Sequence, residues 1–105
     1  MEYSVVICNV PDKDTAEKIA EHLVKKKLIA CANIIPSITS IYEWKGELCK
    51  ENEVMIIMKS KKDLFNELTE EIQKLHPYEV PEIISISTQD INQLYINWLS
   101  EQIKK

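Results

Sequence analysis

His76, Tyr78, Glu79 and Glu82 crowd into one short stretch, LHPYEVPEI (Leu75 to Ile83), which also carries two of the chain's four prolines. Imidazole, phenol and carboxyl groups are the ones that move protons in general acid–base catalysis. An enzyme would start from these four, with Trp44 and Lys59 brought near by folding. Against that, the chain has no nucleophile elbow, phosphate loop or paired metal motif, and its single glycine, Gly46, excludes a glycine-rich cradle. The chain therefore reads as a binding protein and not an enzyme.

Soft ligands are scarce. Cys8, Cys31 and Cys49 are an odd set, widely spaced, and match neither CxxC metal spacing nor an even disulfide framework. Reduced thiols in a cytoplasm suit such a set. Cys31 sits in the apolar run IACANII and is expected as a packed thiol, whereas Cys49 lies in a polar stretch and is expected to be exposed. His22 has Lys18, Lys25 and Lys26 around it and is expected on the solvent side of a helix.

The totals narrow the partners. Thirteen basic and seventeen acidic side chains give a net charge of −4, and no basic run exceeds Lys25 to Lys27. Binding a phosphate backbone needs clustered positive charge, so nucleic acid is not an expected partner. The N-terminal MEYSVVICNVPDK lacks a basic region before its apolar run, and no window approaches the ~20 apolar residues that span a bilayer. A soluble, non-exported chain of one domain, residues 1–105, is expected.

The elements that position these groups follow from periodicity. YSVVICNV is β-branched and ends at Pro11, as a buried strand does. Ala16, Ile19, Ala20, Leu23 and Val24 fall on one helical face, with Asp12, Asp14 and Glu17 at its start and Lys25 to Lys27 at its end, as the helix dipole favours. IACANII and then SITSIYEW are extended, with a hairpin at Lys45-Gly46. After the polar stretch CKENE the return strand is VMIIMKS. Ser60 with Asp63 resembles a capping box for a helix with Leu64, Phe65, Leu68, Ile72 and Leu75 on its face, which stops before Pro77. A strand EIISIS follows, then a helix from about Asp90 with Ile91, Leu94, Tyr95, Trp98 and Leu99 on one face.

The order β-α-β-β-α-β-α specifies an α+β class, the ferredoxin-like split βαβ sandwich with an added C-terminal helix. Two helices cover one face of its sheet, yet the hairpin carries Ile38, Ile41, Tyr42, Trp44, Val54, Ile56 and Ile57, more apolar side chains than one covered face requires. The stretch Ile29 to Trp44 also approaches 16 extended residues, against the ~5 or 6 of an ordinary strand. Strands that protrude with unpaired edges pair with neighbours, so an oligomer is expected.

With these segments in order the chain resembles the CutA family of divalent-cation tolerance proteins. The matching blocks are VVICNVPD (Val5 to Asp12), LIACANIIP (Leu28 to Pro36), SIYEWKGE (Ser40 to Glu47) and HPYEVPEI (His76 to Ile83), with YINWL (Tyr95 to Leu99) near the end. The resemblance implies a ferredoxin-like homotrimer held by strand pairing between subunits, cytoplasmic binding of copper or another divalent cation, and a part in metal tolerance. It also sets the chain beside the PII signalling proteins, trimers that bind small effectors between subunits.

For copper the resemblance implies a cysteine in the first strand and two adjacent histidines before the Pro-Tyr. Cys8 matches the first and His76 the second histidine, but Leu75 stands where the other would be. Two protein donors imply weak binding, because a well-formed site needs three or four; Met55, Met58, a carboxylate or another subunit could add one. The competing expectation is that Cys8 is a small core residue. The PII likeness implies an alternative function, a sensor with a cleft between subunits lined by Tyr42, Trp44, Lys59, Tyr78, Glu79 and Glu82, against which stands the reading that these aromatics only pack the trimer.

Overall fold

The computed structural model describes residues 2–104. In chain order the elements are β1 (Tyr3–Val10), α1 (Lys13–Lys25), β2 (Cys31–Trp44), β3 (Glu47–Lys61), a 3-10 turn (Lys62–Leu64), α2 (Phe65–Leu75), β4 (Ile83–Ser87) and α3 (Gln93–Gln102). The four strands form one sheet in the order β2-β3-β1-β4, and each neighbouring pair is antiparallel. Each βαβ crossover thus skips one strand, as the ferredoxin-like fold requires.

Alternation along the strands sorts the two faces. Val6, Cys8 and Val10 of β1 and Val54, Ile56 and Met58 of β3 are buried with Ala16, Ile19 and Leu23 of α1 and Leu68 and Ile72 of α2, and Leu99 and Ile103 complete this core. The register places Val5, Ile7 and Asn9 beside Lys59, Ile57 and Met55 on the opposite face, with Ile86 and Ile84 next to Val5 and Ile7. Ile84 there is 50% exposed.

The termini of α1 explain its length. Asp12 Oδ1 accepts the Thr15 N–H at 2.8 Å, which satisfies one of the helix's orphan donors. At the other end Leu28 N–H bonds to Leu23 O and Lys27 N–H to Val24 O, both at 3.0 Å. These two bonds make a Schellman ending, in which the residue after the cap is left-handed. That residue is Lys27, at φ 61°.

The hairpin turns at Lys45 (φ 51°) and Gly46 (φ 83°), the pair of positive φ values that lets a two-residue turn follow the strand twist. Beyond the stretch of β3 paired to β1, residues 38–44 and 47–53 pair only with each other. They form a two-stranded arm, and the molecule measures 45 × 26 × 23 Å. A register shift between Ile35 and Ile38 absorbs Pro36, which has no N–H to give a ladder, on the outer strand.

Some local expectations differ. CKENE is strand, because opposite it Ile38 to Tyr42 supplies backbone partners. Ser60 is no helix cap: it is the penultimate residue of β3, and its Oγ donates to Leu28 O at 2.7 Å. The last helix begins at Gln93, capped by Asn92, whose Oδ1 accepts the Leu94 N–H at 2.8 Å. Of its expected apolar face only Leu99 is buried, and Leu94 is 78% exposed.

Candidate functional site

Pro77, Tyr78, Glu79, Val80 and Glu82, in the connector from α2 to β4, line an open cleft of about 730 Å³ together with residues of the arm. The other lining residues are Asn9 at the end of β1, Ser40, Ile41, Tyr42 and Trp44 of β2, and Cys49, Glu51 and Glu53 of β3. Of the sequence candidates, Tyr42, Trp44, Tyr78, Glu79 and Glu82 are gathered here. Lys59 is not: it lies further along β3, where its ammonium hydrogen-bonds to Asn33 Oδ1.

His76 is the hinge of the connector. Its backbone is extended, at φ −82° and ψ 131°, as the following proline demands, and it is only 7% exposed. Nε2 lies 2.8 Å from Asn9 O, and Nδ1 accepts the Tyr78 N–H at 3.1 Å. A carbonyl oxygen can only accept, so Nε2 carries the proton and the Nδ1 lone pair is already taken. The ring also packs on Tyr78, with centroids 4.7 Å apart.

Cys8 is fully buried in β1. Burial, and then the carboxylates of Glu82 and Glu53, push its thiol up to about 12; the thiolate that a metal needs is disfavoured. With both His76 nitrogens in use and Cys8 held as a thiol, this pair as arranged does not fit a metal site. Among the described residues no three His, Cys, Asp or Glu side chains are grouped to hold a metal ion.

The cleft's phenols are spent on its carboxylates. Tyr42 Oη donates to Glu51 Oε1 at 2.7 Å and Tyr78 Oη to Glu53 Oε2 at 2.6 Å. The hydrogen bond to Glu51, with smaller contributions from desolvation and nearby charge, raises Tyr42 to about 12. Burial, then the bond to Glu53, raises Tyr78 well above the ordinary phenol value. Both therefore hold their protons and orient the two glutamates.

Glu51, Glu53 and Asn9 escaped the sequence reasoning. Period-two alternation carried back from Met55 would have put Glu53, Glu51 and Cys49 on one face. His22 is likewise not a free solvent-side residue: its Nε2 lies 2.7 Å from Glu71 Oε1, while Lys74 holds Oε2 at 2.8 Å and Lys26 approaches to 3.4 Å. Lys74 and then His22 lower the Glu71 carboxyl to about 2. This cluster ties α1 to α2. Cys31, expected as a packed thiol, and Cys49 are both only half-buried.

Among the described residues no helix is long and apolar enough to cross a membrane. The family model described as CutA1 divalent ion tolerance protein matches residues 4–102. A divalent-cation tolerance protein CutA of Pyrococcus horikoshii is 44% identical over 96% of this chain and 98% of its own length. The crystal structure of CutA1 from Oryza sativa superposes with a TM-score of 0.97 at 33% identity, over 100% of this chain and 96% of that one. A relative from Archaeoglobus fulgidus, described as a periplasmic divalent cation tolerance protein, superposes at 0.94 with 29% identity over 97% and 99%. Fold, matched residues and identity over nearly the whole length agree, and the chain belongs to the CutA1 divalent ion tolerance protein family.

Proposed function

We propose that this chain works as a cytoplasmic homotrimer, one domain over residues 1–105, that binds copper or another divalent cation weakly and contributes to metal tolerance by binding and not by catalysis. The observation that carries this is the charge of the cleft. Glu51, Glu53, Glu79 and Glu82 line it together with Cys49, and no Lys, Arg or His does among the described residues. A concave surface of one sign concentrates counter-ions. Because no three ligating side chains converge among the described residues of one subunit, a cation there keeps much of its water and is held by one or two carboxylates. We assign the first contacts to Glu79 and Glu82 on the exposed connector; Cys8 and His76 would join only after losing a proton and a backbone bond.

The trimer rests on two features. The sheet face opposite the helices carries half-exposed isoleucines, including Ile84 and Ile86, and the arm carries exposed Leu48, which lies outside the cleft lining. Contiguous apolar surface and unpaired strand edges of this kind are covered by a partner, and the CutA resemblance implies that the partner is the same chain. Three free thiols suit a reducing compartment. An effector carrying phosphate, as a PII-like sensor could take, is disfavoured because no basic side chain lines the cleft among the described residues.

The test is a calorimetric titration of Zn2+ and Cu2+ into the assembled protein, with its mass measured alongside. Saturable binding that falls about tenfold in Glu79→Gln/Glu82→Gln, on a particle of three chain masses, is the expected result. No binding, or a monomer, would overturn the reading.

A further inference from the structure

We propose that the same cleft binds a small organic ammonium, a primary amine or diamine with an apolar or aromatic body. This rests on the cleft being the functional surface, as above, but concerns a different occupant.

Size is the first argument. A volume of about 730 Å³ lies within the ~300–1,000 Å³ of pockets that enclose small organic molecules. A lone ion would leave most of it to solvent.

The walls are the second. Tyr42, Trp44 and Tyr78 line the cleft beside Glu51, Glu53, Glu79 and Glu82. Aromatic faces attract a cation through the ring quadrupole, while carboxylates accept charge-assisted hydrogen bonds from N–H donors. A neutral apolar guest would strip water from the glutamates without replacing its hydrogen bonds. An anion would be repelled. An ammonium on a carbon body satisfies both kinds of wall.

Unused acceptor capacity is the third. Each phenol occupies one carboxylate oxygen, Glu51 Oε1 and Glu53 Oε2, leaving the second oxygen of each glutamate without a phenol partner. Asn9, only 9% exposed, lines the cleft, and its side-chain amide oxygen has no hydrogen-bond partner. Buried amides of this kind are ordinarily satisfied. That oxygen is an acceptor no group of the described residues uses, on a residue of the cleft wall.

The test is calorimetric titration of the assembled full-length protein with 2-phenylethylamine and 1,4-diaminobutane, using 2-phenylethanol as the neutral control. We expect saturable binding of the amines, the alcohol at least tenfold weaker than phenylethylamine, and about a tenfold loss of amine affinity in Glu79→Gln/Glu82→Gln and in Trp44→Ala. Absence of amine binding up to millimolar concentration, equal binding of amine and alcohol, or unchanged amine affinity in the folded Glu79→Gln/Glu82→Gln protein would overturn the proposal. If the variants fail to fold, the amine–alcohol comparison on the wild type decides alone. Zn2+ titrated into the same sample separates the two ideas: Zn2+ binding without amine binding removes this inference and leaves the metal reading, and the converse removes the metal reading alone.

Discussion

His76 Nε2 donates a hydrogen bond to the backbone oxygen of Asn9, 67 residues away, at 2.8 Å. With Nδ1 accepting the Tyr78 N–H at 3.1 Å, one buried ring joins the end of β1 to the connector that walls the cleft. The imidazole at the sequence's most chemical stretch is thereby used as a strut. Replacing it by alanine leaves a buried acceptor and a donor unpaired, each costing about 1–3 kcal/mol. We expect His76→Ala to destabilise by roughly 2–4 kcal/mol and His76→Gln, which has one donor and one acceptor to offer, by less. Urea unfolding midpoints check both.

Cys8 should be chemically silent. Its thiol is pushed up to about 12, chiefly by burial, and only the thiolate attacks an alkylating reagent. Iodoacetamide at pH 8, read by mass spectrometry, is expected to leave Cys8 unmodified in the native protein and to label it once urea is added. Labelling of Cys8 at the rate of a free thiol would contradict its placement.

Glu71 sets an acid limit on stability. Hydrogen bonds from Lys74 and His22 lower its carboxyl from 4.5 to about 2 in the folded protein. A depressed folded value contributes stability above the unfolded value and loses it as pH falls through the folded one. The contribution of this cluster is therefore complete above about pH 4.5 and fades toward pH 2. Melting temperatures between pH 5 and pH 2 should fall more steeply for the wild type than for Glu71→Gln, which starts lower and lacks the titrating group.

Lys27 occupies the left-handed position that ends α1, at φ 61°, and its side chain is exposed. A side-chain-bearing residue is strained there by about 1–2 kcal/mol, while glycine gives part of that back through greater unfolded-state freedom. Lys27→Gly is expected to raise stability by about 0.5–1 kcal/mol, seen as a higher thermal midpoint with unchanged circular dichroism.

What the chain discloses in one dimension divides along the range of the interaction. β1, α1, the Lys45-Gly46 turn and the end of α2 before Pro77 were legible because each depends on residues within a few positions of one another. Ser60 was misread because its partner is Leu28 O, supplied from another segment, and the local Ser60–Asp63 pattern imitates a cap. Glu51 and Glu53 were hidden in a polar run that only the opposite strand makes extended. The His22–Glu71 pair joins helices 49 residues apart, which no local pattern announces. In the cleft, the aromatic residues and the connector glutamates were visible as residue types; Lys59 lies outside its lining and Asn9 was overlooked, since the register of β1 against β3 decides which side chains meet there.

We propose that cations meet this protein at the carboxylate cleft and not at the Cys8–His76 pair. The most direct measurement compares the Cu2+ dissociation constants of Cys8→Ala/His76→Gln and Glu79→Gln/Glu82→Gln with that of the wild type, each confirmed folded by circular dichroism. Binding within about twofold of wild type in the first variant and weakened about tenfold in the second is predicted. The reverse order, affinity lost with Cys8 and His76 and kept without the two glutamates, would contradict it.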